Sequence, residues 1–298
     1  MFMNRNKEYK SGVLNGHIAI PASCGELVQG YLGGKPFLIN SPIDMFAFGR
    51  ISFDLGSVKS GRVQSIFPKA YKAAMEFLGD GAGYLELKSS IPRGKGMASS
   101  TAEIAVAISS CLARNDASSV QIMHEKVLGI DGSTDATYLP GITMINQLSG
   151  DVYRSMAAPP PMGIVVVDQG GELNTEAYDR DRAQHHATGH QGDYFRAVSL
   201  VRQGLAAGNS KLIAAGASIS TKIQQSFLPN DLYPFLENLV DGNEVLGINT
   251  AHTGTVLGVL FDERRHDAKK IKDKVVARVG CDRVLGIHRL ISGGVFRA

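Results

Sequence analysis

The stretch that most narrows the folds open to this chain is residues 91–103, IPRGKGMASSTAE. It lies between a strand-like run, GYLELKSSI (83–91), and TAEIAVAISSCLAR, which is apolar and long enough for a buried helix. Ser100 followed by Glu103 fits S-x-x-E, a capping box in which two side chains satisfy the orphan N–H groups of a helix start. The same geometry suits an anion, because a helix start aims unpaired N–H groups and a positive dipole end outward. Gly94 and Gly96 lack the Cβ atoms that would keep a phosphate from the backbone, and Ala98 is small. Ser99 and Ser100 carry hydroxyls that can donate to phosphate or ligate Mg²⁺, and Lys95 can add a point charge. The spacing G-x-x-x-x-G-K-[ST] does not occur, which excludes a Walker A loop.

Around this stretch the amino-terminal half is rich in strand signals. HIAIPA (17–22), KPFLIN (35–40) and MFAFGRISFDL (45–55) cluster or alternate apolar residues between breakers. KAYKAAMEFLG (69–79) and SVQIMHEKVLG (119–129) have helical spacing. GDVYRSM (150–156) predicts a strand, and APPPMG (158–163) predicts the boundary between lobes, since proline resists both helix and ladder. The expected division is 1–158 and 159–298. Beyond it come a buried strand MGIVVVD (162–168), a polar loop DRDRAQHHATGHQG (179–192) and helices near 193–207 and 210–226. TVLGVLFD (255–262), the basic amphipathic run RRHDAKKIKDKVVAR (264–278) and DRVLGIHRLISGG (282–294) read as strand, helix, then one or two strands. Strands grouped with helices, without strict βαβ alternation, favour an α+β fold of two lobes.

The formal charge of +3 is too weak and dispersed for nucleic-acid binding, though it is compatible with an anionic substrate. Cys24, Cys111 and Cys281 lie far apart, and isolated cysteines of odd number suit reduced thiols. The first ten residues have no apolar h-region, and no segment reaches the roughly 18 apolar residues of a membrane span. A soluble, cytoplasmic protein without a membrane partner is the expectation.

The segment from Pro92 to Ala102, P-x-x-x-G-M-A-S-S-T-A, resembles the second signature of the GHMP kinase superfamily, whose usual form is P-x-x-x-G-L-G-S-S-A-A. PASCGELVQG (21–30) resembles the first motif, and NTAHTGTVLGVLF (249–261) the third. Within the superfamily the three stretches look most like the L-threonine kinases of cobalamin synthesis. The resemblance implies a two-lobed α+β fold, with an N-terminal lobe like domain 2 of ribosomal protein S5 and a ferredoxin-like C-terminal lobe. It implies ATP and Mg²⁺ as cofactors and phosphoryl transfer to the hydroxyl of L-threonine, giving L-threonine O-3-phosphate. Homoserine, a sugar or an isoprenoid alcohol as acceptor, and a non-catalytic nucleotide-binding relative, are the alternatives.

Carried onto these positions, the resemblance makes Pro92, Gly94, Lys95, Gly96, Met97, Ala98, Ser99, Ser100 and Thr101 the phosphate-binding set. Asp135, in STDAT, falls where the superfamily often places an Asp facing the substrate hydroxyl, as general base or orienting group. Ser100 and a carboxylate would share the metal, with Asp131 the first choice and Glu125 the second. Ser23, Glu26, Asp44, Thr253 and Gly254 are the expected acceptor-site residues, Glu26 meeting the substrate's ammonium. His252 reads as a hydrogen-bonded structural histidine. His185, His186 and His190 form an HHxxxH pattern in the polar loop, without a nearby acidic or Cys ligand to make a metal site.

Overall fold

The computed structural model describes residues 17–52, 57–78, 83–112, 117–172 and 178–297. Two long antiparallel strands open it, β1 (Ile18–Leu32) and β2 (Lys35–Ser52). Gly33 and Gly34 join them, both with positive φ, the tight hairpin geometry whose twist matches the flanking strands. The two strands expected over 35–40 and 45–55 are thus one, and PASCGELVQG lies within β1. Register shifts at Pro21/Ala22 and between Ser23 and Val28 bend the pair while its pairing continues. Residues 53–55 of the expected strand lie outside the described residues.

There follow α1 (Ser57–Ile66), α2 (Pro68–Leu78), β3 (Tyr84–Ser89) and α3 (Ser99–Cys111). Helix α3 is buried from Thr101 to Cys111, which is why its sequence is apolar all round and not on one stripe. Helix α2 presents Ala70, Ala73 and Ala74 to the core and packs on α3; alanines allow the two axes to approach closely. Next come α4 (Ala117–Asp131), β4 (Ile142–Ile145), β5 (Val152–Met156) and β6 (Met162–Asp168). The last part holds α5 (Arg180–Thr188), α6 (Gln191–Ala207), α7 (Ser210–Phe227), α8 (Tyr233–Glu237), β7 (Gly247–Thr250), β8 (Val256–Asp262), α9 (Ala268–Val279), β9 (Val284–Leu290) and β10 (Phe296–Arg297).

The polar segment expected as a loop over 179–192 is largely helix α5. Asp179 caps it by accepting from the Arg182 amide, and Ala183 and Ala187 bury one narrow face. The capping box expected at Ser100 and Glu103 is absent. Ala98 stands at the N-cap in the left-handed region (φ 60°) and makes no side-chain cap. Glu103 pairs instead with Arg93 at 2.9 Å, while Arg93 also donates to the Ile66 carbonyl and lies over the Phe67 ring.

The strands form one antiparallel sheet in the order β10-β1-β7-β8-β6-β9-β2-β4-β5, with β3 on β2 and β1 also paired to β2. Strands β6 to β9 pair extensively with one another, as do β1 to β5. The two sets meet through single residue pairs, Glu26 with Thr250 and Ile43 with Leu290. One hydrophobic core runs through both, from Ile18 and Val28 to Val256 and Leu290. The candidate site lies near the junction at Glu26 and Thr250.

Candidate active site

Gly94, Gly96 and Ala98 all have positive φ (68°, 77° and 60°), whereas Lys95 and Met97 between them do not. Such alternation is the backbone pattern that can turn successive N–H groups toward one concavity, a nest, and it runs directly into the start of α3. The loop is fixed from both sides. The Ser23 amide of the first motif donates to the Met97 carbonyl at 3.1 Å, and the Thr255 amide of the third donates to the Lys95 carbonyl at 3.0 Å. Gly96 and Gly254 stand back to back: a Cβ on Gly254 would lie 2.3 Å from the Lys95 oxygen, and one on Gly96 2.5 Å from the Ala251 Cβ. The glycines therefore serve backbone contact as well as any ligand. Met97 fills the core beneath the loop.

At the head of α3 the Ser100 hydroxyl donates to Asp131 Oδ1 at 2.7 Å. Asp131 ends α4, and the Lys69 ammonium sits 2.6 Å from the same oxygen. Glu125, six residues earlier on α4, is exposed and accepts from Gln121, so the structure brings Asp131 and not Glu125 to Ser100. Thr101 carries the next contact, its hydroxyl 3.5 Å from Asp135 Oδ2. Asp135 is followed by Ala136 at φ 51°, a second left-handed alanine, whose carbonyl accepts from Asn40. Burial pushes the Asp135 carboxyl up to about 6, Asp131 adding to the rise and the Thr101 hydroxyl opposing it.

Across the sheet junction Glu26 is 5% exposed, and its Oε2 has no hydrogen-bond partner among the described residues. Burial holds this carboxyl well above the usual range, the nearby Asp135 adds to the rise, and a hydrogen bond from the His252 amide opposes it. Beside this acidic pair opens a cavity lined by Ser133, Thr134, Asp135, Tyr31, Tyr178, Arg180, His252 and Thr253, among others. Burial and the Arg180 charge bring His252 down to about 4, so its imidazole is neutral at physiological pH, and its ring packs on Tyr178 at 4.7 Å. Arg180 has no carboxylate partner among the described residues and is exposed at the first turn of α5. Sequence reasoning missed Tyr31, Tyr178 and Arg180. The only signal for Arg180 lay in D-R-D-R just ahead of an Ala-x-x-x-Ala spacing.

Other expected residues stand apart. The Ser23 hydroxyl is buried and occupied, donating to the Gly25 carbonyl and accepting from the Ser41 amide. Asp44 accepts from the Arg289 amide and faces His288 at 3.1 Å, on the β2–β9 edge and outside the cavity lining. Lys95 is turned away to Asp168 (2.8 Å) and the Gly171 carbonyl (2.6 Å). His186 and His190 stack at 4.8 Å, with His186 bonded to Ser226. Among the described residues no group of three or more His, Cys, Asp or Glu side chains converges as a metal site. Hard oxygens from Ser100 and Asp131 suit Mg²⁺, and the ammonium beside them marks a place that already favours a cation.

No family model matches the chain. Among curated proteins, an L-threonine kinase of Salmonella typhimurium is 26% identical over 261 residues, 87% of each chain. Among solved structures, a homoserine kinase from Cytophaga hutchinsonii superposes with a TM-score of 0.61 at 15% identity, over 95% of this chain and 97% of that one. The Methanococcus jannaschii mevalonate kinase does so with a TM-score of 0.60 at 14% identity, over 92% of this chain and 98% of that one. At such identities the two structures establish the fold, and the curated relative carries the sequence likeness. No helix among the described residues is long and apolar enough to cross a membrane. In fold and in sequence the chain resembles the GHMP kinases, and it is a phosphotransferase that acts on an alcohol group.

Proposed function

We propose that the chain transfers the γ-phosphoryl group of ATP to the side-chain hydroxyl of L-threonine, giving L-threonine O-3-phosphate, as its curated relative's name suggests. One observation carries the reading: Asp135, a partly buried acid with a pKa near 6, faces a cavity that has the buried Glu26 nearby and the exposed Arg180 on its wall. An α-amino acid bears an ammonium and a carboxylate. Glu26, buried nearby, would meet the first and Arg180 on the wall the second, while the cavity wall at Ser133 to Asp135 would take the hydroxyl end.

In this scheme the nest of residues 94–98 and the amides at the start of α3 hold the phosphates. Ser100 and Asp131 would hold Mg²⁺, which when bound neutralises charge on phosphate oxygens. Asp135 accepts the hydroxyl proton as the new O–P bond forms and the bond from the γ-phosphorus to its bridging oxygen breaks. Its elevated pKa makes it a stronger base than an ordinary aspartate while leaving it mostly ionised above pH 6. Tyr31, Tyr178 and His252 line the cavity and limit its water.

The test is a coupled ADP assay over L-threonine, L-serine, L-homoserine, a sugar and an isoprenoid alcohol. L-threonine is expected to stimulate ADP release most strongly. If another acceptor wins, the kinase reading stands and the substrate changes. If nucleotide binds and nothing is phosphorylated, the chain is a binding relative and the catalytic reading falls.

A further inference from the structure

We propose that Lys69 of α2 is the lysine that meets the nucleotide's phosphates, standing on Asp131 before nucleotide arrives and moving to a phosphate oxygen when it does. The proposal rests on the kinase reading above. Of the basic side chains beside the loop among the described residues, Lys95 and Arg93 are committed elsewhere. Lys95 is held by Asp168 and the Gly171 carbonyl, and only 19% of its side chain is exposed. Arg93 is held by Glu103, the Ile66 carbonyl and the Phe67 ring.

Lys69 differs in what holds it. Among the described residues its single partner is Asp131 Oδ1, the oxygen that also takes the Ser100 hydroxyl. A divalent cation on Ser100 and Asp131 would occupy the ammonium's place, and two like charges do not share one carboxylate oxygen. Lys69 would then be free to turn to a phosphate bound at the α3 N-terminus, the helix end that carries Ser100. The scaffold keeps that move short: Ala70, Ala73 and Ala74 anchor α2 against α3, while the Lys69 side chain, 56% exposed, keeps its rotamer freedom. Asp131, with its side chain 13% exposed, is the fixed member of the pair.

The experiment is calorimetric binding of a non-hydrolysable ATP analogue to the full chain, with and without Mg²⁺, for the parent, K69M, K69R, D131N and the double variant D131N/K69M. K69M is expected to weaken Mg²⁺-dependent binding about tenfold, the usual size of a charge-assisted contact, and K69R to recover most of it. If Lys69 acts only by holding Asp131, K69M adds nothing in the D131N background. The proposal instead expects a further loss there of about fivefold or more. Parent-like binding by K69M, or no added loss in the double variant, overturns it and leaves the kinase reading intact. A parent chain that binds no nucleotide overturns both.

Discussion

Asp135 shows how one side chain sets activity and stability against each other. Folding raises its pKa from 3.8 to about 6, so the folded state favours the protonated acid. Its contribution to stability is therefore full below about pH 4 and lost as the pH rises through about 6. Replacing it with asparagine should raise the melting temperature at pH 7.5 by about 2–5 °C, a gain that disappears near pH 4. The same variant should lose about 10²–10⁴-fold in turnover while still binding nucleotide, and near-parental turnover would remove Asp135 from the mechanism. In the parent, kcat/KM should climb with pH through about 6 as the carboxylate forms; a flat profile from pH 5 to 8 would contradict it. Ala98 makes a separate case. Its left-handed backbone costs about 1 kcal/mol that glycine would not incur, so A98G should raise the melting temperature by about 1–3 °C with the site still functional.

Among the elements, helix α5 contributes most that the sequence alone hides. Its first residue, Arg180, should govern affinity for the amino acid and not the chemistry. R180A is expected to raise KM for L-threonine about tenfold or more with kcat within about threefold of the parent, and R180K to recover part. A fall in kcat with KM unchanged would show that Arg180 acts elsewhere. The segment read as a loop because its composition is polar on nearly every side; only Ala183 and Ala187 reveal the buried face. Helix α3 and the loop before it were legible, since a wholly apolar run after glycines and serines admits few placements. Resemblance alone ranks Asp131 ahead of Glu125, since which face of α4 meets Ser100 is decided by packing. The capping box failed for a related reason: Glu103 answers to Arg93, a residue that no local pattern links to a cap. Strand β7, four residues long and central to the site, offers too short a run for alternation to register.

For the whole molecule, the Pro-rich stretch at 158–163 separates two sets of strands without separating their interior. The core passes from one set to the other, so unfolding should be a single cooperative transition, and neither 17–158 nor 159–297 should fold alone. A cooperative melt from either fragment, followed by circular dichroism, would count against that. The loop at 94–98 repeats the pattern on a smaller scale, held by Ser23 from the first strand and Thr255 from near the end of the chain. On a translating ribosome, then, the nest has one wall missing until Thr255 has been made. On the proposed function, ATP cannot rescue a half-synthesised chain by binding to it. It can only reward a finished one, through the stability that a ligand lends to the state it recognises.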